Sequence, residues 1–179
     1  MKKESKLMEM LVGYAAAHQH PVNVAVHLVG IPTIMLGVLI PLTWLSYDIS
    51  AFTTTSVFSI NAAQLVVIAF FLFYLTLDSV FAVVFLVLGL VLGEFAVYLG
   101  GFGTTTGWII AAACFFGGYI AQFVGHAIEK SMPVLVKHPI QANLAAPFFT
   151  IVELFHITGL RKGLFEDVKA EIEVRRSSA

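Results

Sequence analysis

Between Leu7 and Glu129 the chain contains not one lysine or arginine. Its ten basic residues fall into two groups, Lys2, Lys3 and Lys6 at one end and the remainder from Lys130 onward. The long cation-free interval is filled by apolar runs. The whole chain is 59% hydrophobic and 12% charged, where a soluble domain carries about 25% charge. A chain of 179 residues has too small a core to hide that much apolar surface, so lipid must cover part of it. The net charge of −1 says nothing of nucleic acid, and without a basic stripe to meet phosphates no nucleic-acid partner is expected. Cys114 is the only cysteine, which rules out an intrachain disulfide and a cysteine-based zinc site.

Basic residues flanking membrane segments mark the cytoplasmic side. Both termini are therefore expected in the cytoplasm, with an even number of full spans. A bilayer core needs roughly 20 apolar residues in helix. Four stretches meet this requirement, at 24–45, 60–77, 79–99 and 107–127, with Asp78 at a tight turn and a glycine- and threonine-rich loop at Gly100–Thr106. A short amphipathic helix over Ser5–Ala17 is expected to precede them. Glu9, two histidines and the lack of a cleavage site argue against a cleavable signal peptide. The segment 143–160 is apolar but carries Glu153 and His156. Spanning there would carry the basic tail 161–179 across, so an interfacial or re-entrant helix is expected, with a fifth span as the alternative. The prediction is a single all-α integral membrane domain over 1–179, in a bacterial inner membrane or the endoplasmic reticulum.

Polar residues at a membrane boundary are costly unless paired, wet or functional. Two clusters carry them. In the first, His18-Gln-His20-Pro-Val-Asn23-Val-Ala-Val-His27, Pro21 suits a first helical turn and disfavours helix at the residue before it. His20 is then a boundary residue, and Asn23 and His27 share a face four residues apart. A break before Pro21 would let His18 turn back toward His27. In the second, Gln122-Phe-Val-Gly125-His126-Ala-Ile-Glu129, the residues Gln122, His126 and Glu129 follow one helical stripe. Gly125 opens space beside His126 for another helix or a ligand.

A single boundary histidine is most simply a hydrogen-bonded surface residue. The expected topology, however, brings His18, His27 and His126 to similar depth on one side. Converging neutral imidazoles suit Fe(II), Zn, Cu or Ni, and a nearby carboxylate favours non-haem iron. Asn23, Gln122 and Glu129 stand as supporting partners. Glu153-x-x-His156 has half of a di-iron carboxylate pattern, and no second Glu-x-x-His exists.

The pattern His18-x4-Asn23-x3-His27 with Gly30 and Pro32, followed by Gln122-Phe123-x-Gly125-His126-x2-Glu129-x3-Pro133, resembles the fungal 2-hydroxy fatty acid dioxygenase family. The segment Ala146-Pro147-Phe148-Phe149 through Glu153 adds to the likeness, which runs over roughly Tyr14–Leu160. The resemblance implies an Fe(II)-dependent α-oxidation in which O2 removes one carbon from a 2-hydroxy fatty acid at the bilayer. It implies His18, His27 and His126 as metal ligands, with Glu129 also in the catalytic set. Glu129 and Glu153 match the family's acidic positions and, with Asn23 and Gln122 from the spacing, stand as candidate further ligands or supports, while His20, His138 and His156 are left out.

Two other classes compete with an enzyme. A metal or lipid transporter would place polar groups near the midplane, whereas Glu94 is the only charge well inside an expected span. A non-catalytic membrane scaffold is compatible with the composition. The topology has a direct check. With Cys114 replaced, single cysteines at Ser5 and Ser177 should label from the same side of the membrane and one at Thr54 from the other. Opposite labelling of the first two would remove the basis for convergence of the histidines.

Overall fold

The computed structural model describes residues 6–17, 20–48 and 59–177. Eight helices are formed there: α1 (Lys6–Ala17), α2 (Pro21–Thr43), α3 (Ala62–Leu75), α4 (Ser79–Gly100), α5 (Thr104–Glu129), α6 (Val134–Lys137), α7 (Pro139–Ile157) and α8 (Lys162–Ser177). Two three-residue strands, β1 (Ser46–Asp48) and β2 (Ser59–Asn61), pair antiparallel with Tyr47 opposite Ile60. The chain is an all-α membrane protein. Among the described residues four helices, α2, α4, α5 and α7, are long and apolar enough to cross a bilayer.

Two details depart from the sequence reading. The second apolar stretch forms a helix of only 14 residues, roughly 21 Å long at 1.5 Å per residue. It starts late because Ser59–Asn61 are drawn into the strand pair, and Asn61 then caps the helix. The Asn61 side chain accepts from the Gln64 N–H at 3.0 Å, and the Gln64 side chain accepts from the Asn61 N–H at 3.1 Å, a reciprocal capping box. Conversely α7 starts at Pro139, in the first-turn position proline favours and four residues before the expected start at 143; its length and composition are compatible with the fifth-span alternative.

Contacts divide the chain into two units, 29–121 and the remainder. In the first, α3 and α4 form a hairpin closed by Asp78, whose carboxylate accepts from the N–H groups of Val80 and Phe81. The charge expected to stay wet at this turn therefore also caps α4. Ala82, Phe85, Gly89, Gly93, Ala96 and Gly100 bury one stripe of α4. A Cβ on Gly89 would come within 2.8 Å of Val67, so α4 and α3 approach closely there.

In the same unit α2 and α5 approach more closely still. A Cβ on Gly37 would lie 2.7 Å from the Phe115 nitrogen and 2.8 Å from the Ala111 oxygen, and one on Gly118 would lie 3.1 Å from the Gly30 oxygen. Further along, Gly107 leaves room for the Trp44 ring, which also meets Trp108 edge-on at 5.3 Å. These pairings run antiparallel. Small residues let backbones meet where no hydrophobic force drives helices together in lipid.

In the second unit α1 packs against α8, with Leu11, Val12 and Val168 buried. The amphipathic N-terminal helix thus places its apolar face on protein. Phe148, Phe149, Ile151, Val152 and Phe155 form the buried face of α7.

Backbone contact at Gly37 leaves no flexible neighbour to yield. Gly37→Ala should therefore destabilise the protein in detergent by about 1–3 kcal/mol, overriding the helix-propensity gain of about 1 kcal/mol. Gly93→Ala, where nothing lies within 4 Å of the new Cβ, should show that gain. Thermal unfolding of the two variants should give shifts of opposite sign.

Candidate functional site

Asn23 and His27 lie on the first two turns of α2; Gln122, His126 and Glu129 lie on the last two of α5. All are in one unit. Asn23, His27, Gln122 and His126 are 0%, 7%, 9% and 4% exposed, and they are the buried polar residues among those described. Four sealed polar side chains in so apolar a chain are a cost that needs compensation. The rings of His27 and His126 meet edge-on, with centroids 5.0 Å apart.

Each ring is held through its Nδ1. His27 Nδ1 lies 2.9 Å from the Asn23 backbone oxygen. A carbonyl only accepts, so Nδ1 carries the proton and Nε2 the lone pair. His126 Nδ1 lies 2.9 Å from Ser131 Oγ. The end of α5 places that hydroxyl. Lys130 takes a left-handed conformation with φ 57°, the Ser131 N–H returns to the His126 oxygen at 3.0 Å, and the Lys130 N–H bonds the Ala127 oxygen at 3.2 Å. This is a Schellman closure, and it folds Ser131 back beside the histidine five residues earlier.

Glu129 joins the two helices. One carboxylate oxygen accepts from the His20 N–H at 3.1 Å, and the other accepts from Asn23 Nδ2. The charge sits at the N-terminal end of α2, where the helix dipole favours an anion. His20 occupies the boundary predicted for it. Its oxygen accepts the first helical bond from Val24, and its Nδ1 accepts from the Val22 N–H at 3.2 Å. The space Gly125 leaves is filled by α2, since a Cβ there would collide with Asn23 Oδ1 and come within 3.3 Å of Val26. Among the described residues two buried side-chain atoms have no hydrogen-bond partner, Asn23 Oδ1 and Gln122 Nε2. The Asn23 amide cannot gain by flipping, because its oxygen would then face the Glu129 carboxylate.

The other sequence candidates fall elsewhere. His18 lies outside the described residues. Glu153 contacts His156 Nδ1 at 3.3 Å and lines a cleft with Leu11, Ala15, Phe165, Val168 and Lys169, whose lining includes none of Asn23, His27, His126 and Glu129. His138 is exposed at the start of α7. Ser131 was not singled out in the sequence. Its role depends on the left-handed turn at Lys130, a conformation lysine does not advertise.

Among the described residues no set of three His, Cys, Asp or Glu side chains could hold a metal. The His27–His126 pair nevertheless fits one. With a metal–nitrogen bond of about 2.1 Å, two imidazoles bound in cis have ring centres about 5 Å apart. Protein acceptors at Nδ1 are the usual second partners of ligating histidines. Two orphaned polar atoms on the flanking turns add to the fit.

The family model described as "2-hydroxy-palmitic acid dioxygenase Mpo1-like" matches residues 5–157. The chain belongs to this family. A curated member, 2-hydroxy-palmitic acid dioxygenase MPO1 of Saccharomyces cerevisiae, is 29% identical over 171 residues, covering 95% of this chain and 91% of the yeast protein. No solved structure matches. The Mpo1-like match contains every residue of the α2–α5 site.

If Gly125 is there to seat Asn23 against Glu129, Gly125→Ala should lower stability by about 1–3 kcal/mol. The same change in an Asn23→Ala background should cost far less. A double-mutant cycle by thermal unfolding reads the coupling, and additive effects would mean that Asn23 is not what Gly125 accommodates.

Proposed function

We propose that this Mpo1-like chain is an Fe(II)-dependent dioxygenase that converts a long-chain 2-hydroxy fatty acid to the acid one carbon shorter. The buried His27–His126 pair carries the reading, its rings 5.0 Å apart and each fixed through Nδ1. His18 is the proposed third ligand. Family membership supports the substrate class, and the apolar helices suit a substrate whose tail stays in lipid.

The overall reaction closes without a second reductant. A 2-hydroxy acid and O2 contain the atoms of the shortened acid, CO2 and water. Cleaving the C1–C2 bond and raising C2 to a carboxylic acid releases four electrons, the number that reduces O2 completely. Fe(II) bound at the histidines would supply the electron transfer that lets O2 react with a closed-shell acid. Asn23 and Ser131 hold the two rings in orientation, and burial keeps bulk water from the reacting carbons. Glu129 acts through Asn23. Both its oxygens already accept protein hydrogen bonds, which suits a positioning residue better than a metal ligand.

Two measurements test the proposal. Purified protein should retain iron, and His18→Ala, His27→Ala or His126→Ala should each abolish retention while His138→Ala leaves it intact. Full occupancy in all three single variants would defeat the assignment. In air the iron-loaded protein should shorten 2-hydroxypalmitate by one carbon with no 2-oxoglutarate or nicotinamide added, and palmitate should be inert. Strict dependence on 2-oxoglutarate would place the chain in another oxygenase class.

A further inference from the structure

A buried amide nitrogen with no acceptor is expensive. Leaving a donor unsatisfied away from water costs about 1–3 kcal/mol, and few native groups are left that way. Gln122 Nε2 is such an atom, on a residue 9% exposed, one helical turn before His126. Asn23 Oδ1 is its counterpart, an acceptor without a donor, on a residue 0% exposed and one turn before His27. Methionine or leucine at 122 would fill similar volume without the penalty. The polarity at these positions calls for a ligand.

The two orphans differ in kind, and that difference selects the ligand. One atom needs an acceptor and the other a donor. A 2-hydroxy carboxylate supplies both, an anionic oxygen and, one carbon away, a hydroxyl hydrogen. No lysine or arginine occurs between Leu7 and Glu129 to pair with the anion, so a neutral amide is the available partner on these helix turns. Resting on the 2-hydroxy acid reading above, we infer that Gln122 Nε2 donates to the substrate carboxylate and that Asn23 Oδ1 accepts from the 2-hydroxyl. Glu129 then has a defined task. By holding Nδ2 it fixes the orientation of the amide, with Oδ1 on the Gly125 face of α5. An unsubstituted acid offers only acceptors and leaves Asn23 Oδ1 unsatisfied. Sites built around a substrate hydroxyl reject analogues lacking it far more strongly than apolar pockets reject a missing methylene.

The test separates ligand binding from folding. Full-length protein in detergent micelles, loaded with iron and kept free of oxygen so that nothing turns over, is titrated with 2-hydroxypalmitate, palmitate and 1,2-hexadecanediol. Thermal stability and affinity are followed in wild type, Gln122→Met and Gln122→Leu. Without ligand, both variants should melt at or above the wild-type temperature, because an unsatisfied amide has been removed. Affinity for 2-hydroxypalmitate should fall about 10- to 100-fold, the range for a hydrogen bond to a charged group. Affinity for the diol, which has no carboxylate, should change little. Wild type should bind palmitate more weakly than the 2-hydroxy acid.

Unchanged affinity for 2-hydroxypalmitate in both variants overturns the assignment of Gln122 and leaves the proposed reaction standing. A lowered melting temperature without ligand, or equal loss for acid and diol, assigns Gln122 a structural role and also overturns it. Equal wild-type affinity for the two acids overturns the role given to Asn23. A wild-type protein that binds neither acid removes the substrate reading itself, an outcome recognisable before any variant is made.

Discussion

The site depends on the contact between Glu129 and Asn23. A carboxylate at the end of α5 and an amide on the first turn of α2 meet across 106 residues of sequence. Through that bond the start of α2 is tied to the end of α5, and the backbone of Asn23 presents its oxygen to His27. The His20 N–H, one of the donors a helix start leaves over, completes the tie by bonding the second carboxylate oxygen. The direction of the Asn23 amide and the anchoring of the His20 N–H trace back to this one side chain.

Surroundings make these bonds worth more than similar bonds at a soluble surface. Polar partners away from water have no competing solvent, and one that loses its mate pays the whole desolvation cost. The site therefore tolerates little partial disruption. Its second support, Ser131 on His126, is built differently. It comes from the geometry of a helix end and needs no partner helix. The two histidines are held by unrelated devices, one through the backbone of its own helix and one through the turn that follows.

Much of the fold was legible because lipid imposes simple rules. The apolar runs gave the helices, Pro21 gave the start of α2, and spacing put Asn23 with His27 and Gln122 with His126 and Glu129. The elements misjudged were those set by local hydrogen bonding. Asn61 and Gln64 start α3 later than hydropathy indicates, and Pro139 starts α7 earlier. At the site, spacing showed that Glu129 shared a stripe with His126 but not that it would reach Asn23 on another helix. Ser131 was illegible because a left-handed lysine carries no sequence mark. Glu153 was favoured through likeness in a motif, whereas its structural partner is its own helical neighbour His156.

Asn23, Gly30 and Gly37 recur at intervals of seven along α2, as do Ala111, Gly118 and Gly125 along α5. Two turns of an ideal helix are 7.2 residues, so a seven-residue repeat nearly returns to the same face. One inserted residue would swing everything beyond it by about 100° around the helix axis. An insertion between Asn23 and Gly30 would leave every individual side chain unchanged yet point amide and glycine in different directions. What these helices display to lipid can change without altering that register. The count of residues between the polar end of α2 and its glycines is not open to the same drift, and that count is a constraint that comparing residue types position by position would not reveal.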